Sequence, residues 1–221
     1  MIPGTLCTER TFTAQLASLQ GVSEPLVRLP VEGSDLGTCT ADILESVPER
    51  FALLGFSLGG LVALEVMRRA PERVQRLCLI ATNPRGSTQQ NFETWTRWRR
   101  ETAAGGFADI ARAHAEGVYR ENSEARTAVT EMALVLGPET LMKQLGLLES
   151  RPDSRSTLGT ITCPTLLIVG QQDRVTPPAL HQEMLGLLPS AKLETLKSCG
   201  HYAPLERPHE VSSLLHGWLE A

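Results

Sequence analysis

Three short stretches hold residues whose types could together do nucleophilic chemistry. Gly55-Phe56-Ser57-Leu58-Gly59-Gly60 sets a serine among glycines, Gly170-Gln171-Gln172-Asp173 ends on an aspartate, and Cys199-Gly200-His201-Tyr202 carries a histidine. A serine hydroxyl is a poor nucleophile at neutral pH until an imidazole takes its proton. The imidazole in turn needs a carboxylate to fix its tautomer and stabilise its charged form. Ser57, His201 and Asp173 supply these groups. The chemistry they would do together is attack on a carbonyl carbon with general-base help.

Each stretch must be positioned by the elements around it. Phe51-Ala52-Leu53-Leu54 reads as a short buried strand, and Leu61, Leu64 and Met67, with Val62 and Val66, recur at helical spacing. Ser57 therefore falls on a tight strand-to-helix turn, a G-x-S-x-G nucleophile elbow, where side chains at 55 and 59 would clash and the helix N-terminus favours developing negative charge. A strand over 165–169 puts Asp173 at its carboxyl end, and one over 192–196 puts His201 at the same edge. Thr176, just before Pro177 and Pro178, reads as the helix cap, which leaves Asp173 free for another role. His114, His181 and His216 lie within helices and His209 in a first turn, so packed or solvated rings are expected there.

The rest of the chain continues the pattern. Residues 11–19 suit a helix, 26–29 a strand, 33–37 a loop, 40–47 a helix ended by Pro48, and 74–81 a strand. Strand alternating with helix argues an α/β fold with a mostly parallel sheet. Residues 91–102, 107–119, 123–136 and 138–149 read as helices with no strand among them, and the alternation resumes with a helix over 177–188 and a last one over 208–219. The helical block is expected to cap the carboxyl ends of the strands, where open α/β sheets bind ligands. The expected division is a core of 1–84 and 161–221 with a helical cap insertion over 85–160. Trp95, Trp98, Phe107, Met132 and Met142 would either pack helix on helix, which their spacing favours, or line an acyl pocket. Asp153 and Arg155 would pin the end of the cap by charge or form a solvated pair.

At 221 residues and a net charge of −4, the chain is one domain, or one with an insertion, and makes no case for nucleic acid. The five cysteines are scattered and odd in number, which argues against a disulfide framework or a zinc site and fits a reducing compartment. With no signal-peptide pattern and no apolar run near the ~18 residues of a membrane span, no membrane partner is expected, and the expected location is cytoplasmic.

The order Ser57, Asp173, His201 is that of the α/β-hydrolases. The sequence resembles the small capped members of that fold, the enol-lactonases and related esterases. The resemblance rests on Pro3-Gly4-Thr5-Leu6-Cys7, the elbow, Pro71-Glu72-Arg73-Val74, Asp153-Ser154-Arg155, Cys163-Pro164 through Asp173, and Gly200-His201 followed by Leu205-Glu206-Arg207-Pro208. It implies a serine hydrolase that cleaves a small ester, lactone or thioester through an acyl-enzyme, with no cofactor or metal. The oxyanion would be held by the backbone N–H groups of Leu58 and Thr5, with Leu6 as the alternative second donor. The same triad also supports perhydrolysis, C–C bond hydrolysis or acyl transfer, and a binding or signalling module without turnover is the remaining alternative. The resemblance further implies strands ahead of Pro3. Here Met1-Ile2 alone is expected to stand where the third strand of such sheets runs, leaving unpaired backbone unless an upstream segment, a rearrangement or a partner strand fills the place.

Overall fold

The computed structural model describes residues 1–220. In chain order the elements are α1 (Thr13–Ser18), α2 (Leu36–Glu45), β1 (Phe51–Phe56), α3 (Leu58–Arg69), β2 (Val74–Ile80), α4 (Gln89–Ala103), α5 (Phe107–His114), α6 (Ser123–Glu149), α7 (Arg155–Leu158), β3 (Thr165–Gly170), α8 (Pro178–Leu187), β4 (Ala191–Leu196), α9 (Ala203–Glu206) and α10 (Pro208–Glu220). The four strands form one parallel sheet in the order β1-β2-β3-β4. Leu54 stands beside Cys78, Ile80 beside Ile168, and Leu167 beside Leu193.

Period-2 alternation divides the core between the two faces of the sheet. Leu54, Phe56, Cys78, Ile80, Leu166 and Ile168 pack with Phe12 of the preceding 3-10 turn and with Val211, Leu215 and Trp218 of α10. Leu53, Leu77, Leu79 and Leu167 face the other way, against Ile43 of α2, Leu64 of α3 and Met184 of α8. Both faces are covered, as a parallel sheet requires. A separate cluster of Trp95, Ile110, Ala133, Leu141 and Leu145 joins α4, α5 and α6, and it takes in Leu6 from the N-terminal loop.

Several elements differ from the sequence reading. Helix α2 starts at Leu36 rather than near 40, because the Asp35 carboxylate accepts the Thr38 N–H at 2.9 Å and caps it. Residues 26–29 form no strand. Their ladder is limited to Arg28 N–H donating to Met1 C=O at 3.0 Å and the Met1 amine donating to Leu26 C=O at 2.7 Å. Ile2 makes a single parallel bridge to Gly55, donating to Leu54 C=O at 2.8 Å and accepting from Phe56 N–H at 3.0 Å. Toward Phe51 the same edge of β1 faces a cleft of about 290 Å³ lined by Leu26, Leu215 and Trp218 among others. The helices expected over 123–136 and 138–149 run end to end, with the break at Gly137, whose φ of 76° only glycine adopts readily. No helix among the described residues is long and apolar enough to cross a membrane.

Candidate active site

Ser57 turns β1 into α3 with φ 52° and ψ −115°, a positive-φ conformation that costs a non-glycine residue about 1–3 kcal/mol. The turn is over-determined. Ser57 N–H donates to Ile80 C=O at 2.9 Å, and Ser57 C=O accepts from the Thr82 hydroxyl at 2.8 Å and from Gly60 N–H at 2.9 Å. A Cβ at position 59 would collide with the carbonyls of Ile2 and Pro3, and one at 55 with the carbonyl of Gly59. The two glycines are what let the turn close this tightly.

The three residues named from the sequence converge. His201 Nε2 lies 2.9 Å from Ser57 Oγ, and His201 Nδ1 lies 2.9 Å from Asp173 Oδ2. With Nδ1–H donating to the carboxylate, Nε2 is left to accept the serine proton. Asp173 is buried and accepts three further bonds: from Val175 N–H (2.8 Å) and Thr176 N–H (2.9 Å) on Oδ1, and from the Thr176 hydroxyl (2.8 Å) on Oδ2. Burial pushes its pKa up. The neighbouring His201 and the bonds from His201 and Thr176 outweigh that, and the net shift is downward. Thr176 is thus not the helix cap expected of it. Helix α8 opens on prolines with no side-chain cap, and the threonine hydroxyl serves the carboxylate instead.

The histidine loop is clamped on both sides of His201. Buried Glu206 accepts the N–H groups of Gly200 (2.8 Å), Tyr202 (2.7 Å) and Tyr119 (2.8 Å), and His201 N–H donates to Gly117 C=O at 2.8 Å. The imidazole packs against Phe56 and edge-on against Tyr202, each 5.3 Å between ring centres.

Thr5 lies in a turn closed by Cys7 N–H to Gly4 C=O at 3.2 Å, with Leu6 at φ 52°. Leu6 N–H is already taken: it donates at 2.8 Å to Oε1 of Gln144, a fully buried side chain of α6 whose Nε2 donates to Pro30 C=O at 3.3 Å. The alternative donor at Leu6 is therefore engaged elsewhere. Among the described residues no acceptor meets the N–H of Thr5 or of Leu58, and both residues line the same cavity as Ser57.

That cavity, of about 560 Å³, is lined beside the elbow residues by Trp95, Trp98, His114, Leu148 and Arg151 among others. Trp95 and Trp98 both line it and pack with the helical cluster, while Phe107, Met132 and Met142 serve packing. His114, expected as an ordinary helix histidine, packs at a tilt against Trp98 with ring centres 5.4 Å apart, and burial pulls its pKa down to about 4. His114, Gln144 and Arg151 carry no signal in the sequence, since each meets a partner distant along the chain; Glu206 stands in the motif after Gly200-His201, but its role as acceptor for that loop does not show there. Asp153 and Arg155 pair with each other at the surface, 2.6 Å apart, and Arg155 also reaches Glu183 of α8 at 3.5 Å, so the pair is solvated and tied to the core at once. Among the described residues, no group of three or more His, Cys, Asp or Glu side chains is arranged to hold a metal ion.

The sequence profile described as "Alpha/beta hydrolase family" matches residues 10–214, and the chain belongs to that family. It is an esterase-type hydrolase. A pimeloyl-[acyl-carrier protein] methyl ester esterase of Nitrosomonas europaea is 32% identical over 189 residues, covering 80% of this chain and 75% of that protein. Among solved structures, a thermophilic esterase from Thermogutta terrifontis superposes with a TM-score of 0.88 at 24% identity, covering 99% of this chain and 88% of the other. The enol-lactonase from Burkholderia xenovorans LB400 gives 0.83 at 18% identity, covering 100% and 90%. Both share the fold.

Proposed function

We propose that this enzyme hydrolyses small carboxylic esters through an acyl-enzyme on Ser57. His201 takes the serine proton as Oγ bonds to the carbonyl carbon, then returns it to the departing alcohol. A water deprotonated by His201 attacks the acyl carbon, and the acid leaves as Ser57 regains its proton. Asp173 holds the imidazole in the required tautomer and stabilises its charged form. The N–H groups of Thr5 and Leu58 stabilise the oxyanion, an interaction worth a few kcal/mol per donor in such sites. The helices between residues 85 and 160 act as a cap that walls the acyl pocket, with Trp95 and Trp98 supplying its apolar face.

The observation that carries this reading is the continuous hydrogen-bond chain from Asp173 through His201 to Ser57. The Nitrosomonas relative is named for a methyl ester, so methyl esters of straight-chain acids are the first substrates to assay. The cytoplasm is the proposed site of action, consistent with free cysteines throughout. A fluorophosphonate probe should label Ser57, and methyl-ester hydrolysis followed by pH-stat should vanish in Ser57→Ala. Turnover that survives Ser57→Ala would overturn the proposal.

A further inference from the structure

Arg151 stands in the wall of the reaction cavity with nothing to neutralise it. One Nη donates to Asn91 Oδ1 at 3.1 Å, and the guanidinium carbon lies 5.6 Å from the centre of the Trp95 ring. Its Nε is buried and has no partner. The nearby carboxylates are engaged elsewhere: Glu149 with Arg99, Asp153 with Arg155, and Glu65 with Arg68 and Arg69. Among the described residues, Arg151 enters no ion pair. The other charged side chains on the cavity wall, Arg174 and Glu116, are exposed to solvent.

A buried donor without an acceptor costs free energy, and the half-buried guanidinium has no counter-charge to offset its loss of water. Burial also pulls the Arg151 pKa down, a sign of the same desolvation. Arginine presents its donors as a planar fork that suits carboxylate and phosphate oxygens.

Resting on the esterase reading above, we infer that Arg151 is the subsite for an anionic group at the end of the substrate remote from the ester. The preferred substrates are then esters that also carry a carboxylate or phosphate-type oxygen. The cation–π contact with Trp95 and the Nη2 bond to Asn91 hold the guanidinium in place, and Nη1, which makes no hydrogen bond among the described residues, supplies the bond that a neutral acyl chain leaves unmade.

The test compares methyl esters of simple fatty acids with monomethyl dicarboxylates from succinate to sebacate, and with methyl esters bearing a terminal phosphonate. The wild type should favour one anionic series by tenfold or more in kcat/KM, and the series preferred tells carboxylate from phosphate recognition. In Arg151→Met that ratio should collapse toward one, with Arg151→Lys between the two. Calorimetric binding of the free dicarboxylates provides a readout that needs no turnover, and it should weaken by a similar factor in Arg151→Met. If no ester is hydrolysed but this binding difference persists, the anion site stands and the esterase reading falls. If anionic and neutral esters are handled alike and Arg151→Met merely lowers the melting temperature, Arg151 is a brace between α4 and the loop after α6, and the inference is overturned.

Discussion

Gln144 offers the sharpest probe of how the helical segment sets up the chemistry. In Gln144→Leu the side-chain volume is roughly kept, but Leu6 N–H and Pro30 C=O lose their partners inside the protein. Leaving a buried polar group unpaired costs about 1–3 kcal/mol, so the two together should cost about 2–6 kcal/mol. For a chain of this size that lowers the melting temperature by roughly 5–20 °C. The catalytic effect follows from Leu6, whose φ of 52° is held by the bond to Gln144 and which directly follows Thr5. Losing one oxyanion donor outright costs on the order of 10²–10³ in kcat. A donor displaced rather than removed should cost about tenfold to a hundredfold, with KM little changed. Thermal denaturation and steady-state hydrolysis of a methyl ester below the melting range measure the two effects separately. Gln144→Glu keeps an acceptor for Leu6 N–H and should recover much of kcat despite opposing the Pro30 carbonyl. A large drop in melting temperature with kcat within about twofold of wild type would refute the link from α6 to the oxyanion loop.

Asp173→Asn should leave the fold intact but lower kcat by up to about 10⁴, because the amide favours the wrong imidazole tautomer; fluorophosphonate labelling should slow in parallel. Because the Asp173 pKa is lowered in the folded state, its contribution to stability is present above the unfolded carboxylate value of about 3.9 and is lost as pH falls through the folded value. His114 and His181 are both pulled from 6.5 to about 4 by burial, so unfolding takes up protons at each. Stability should therefore fall as pH drops from about 6.5 toward about 4, and urea titrations at stepped pH should show a shallower fall in His114→Gln. Gly59→Ala should fail to give active protein, because its Cβ has no room between the Ile2 and Pro3 carbonyls; soluble, active Gly59→Ala would contradict the packing of the elbow.

The positions of Ser57, Asp173 and His201 were legible because each sits in a loop punctuated by glycine or proline at the end of a short apolar strand. Such loops are confined to one edge of a parallel sheet. For the space above that edge the sequence offered Trp95 and Trp98 as one of two readings, and both line it, but it did not supply the polar groups around them. Gln144 and Arg151 follow helical or loop spacing like any polar residue; only the docking of α6 beside the N-terminal loop gives Gln144 its buried partners, and only the approach of α4 sets Asn91 and Trp95 against Arg151. Thr176 was misread because a hydroxyl before prolines looks like a cap, yet the nearby carboxylate competes for it. The segment 26–29 has strand composition, but strand character is a property of pairs, and its pairing is limited to Met1.

One peptide group near the chain's start does several jobs at once. The Ile2 carbonyl receives the Phe56 amide and also forms the wall against which Gly59 must close, while the next residues run straight into the Thr5 turn. This attachment is a single rung at the margin of the sheet, so it should loosen on warming before the central ladder does. Catalysis would then be lost some degrees below the cooperative melting of β1 to β4, and mild heating would yield a protein that is folded but idle.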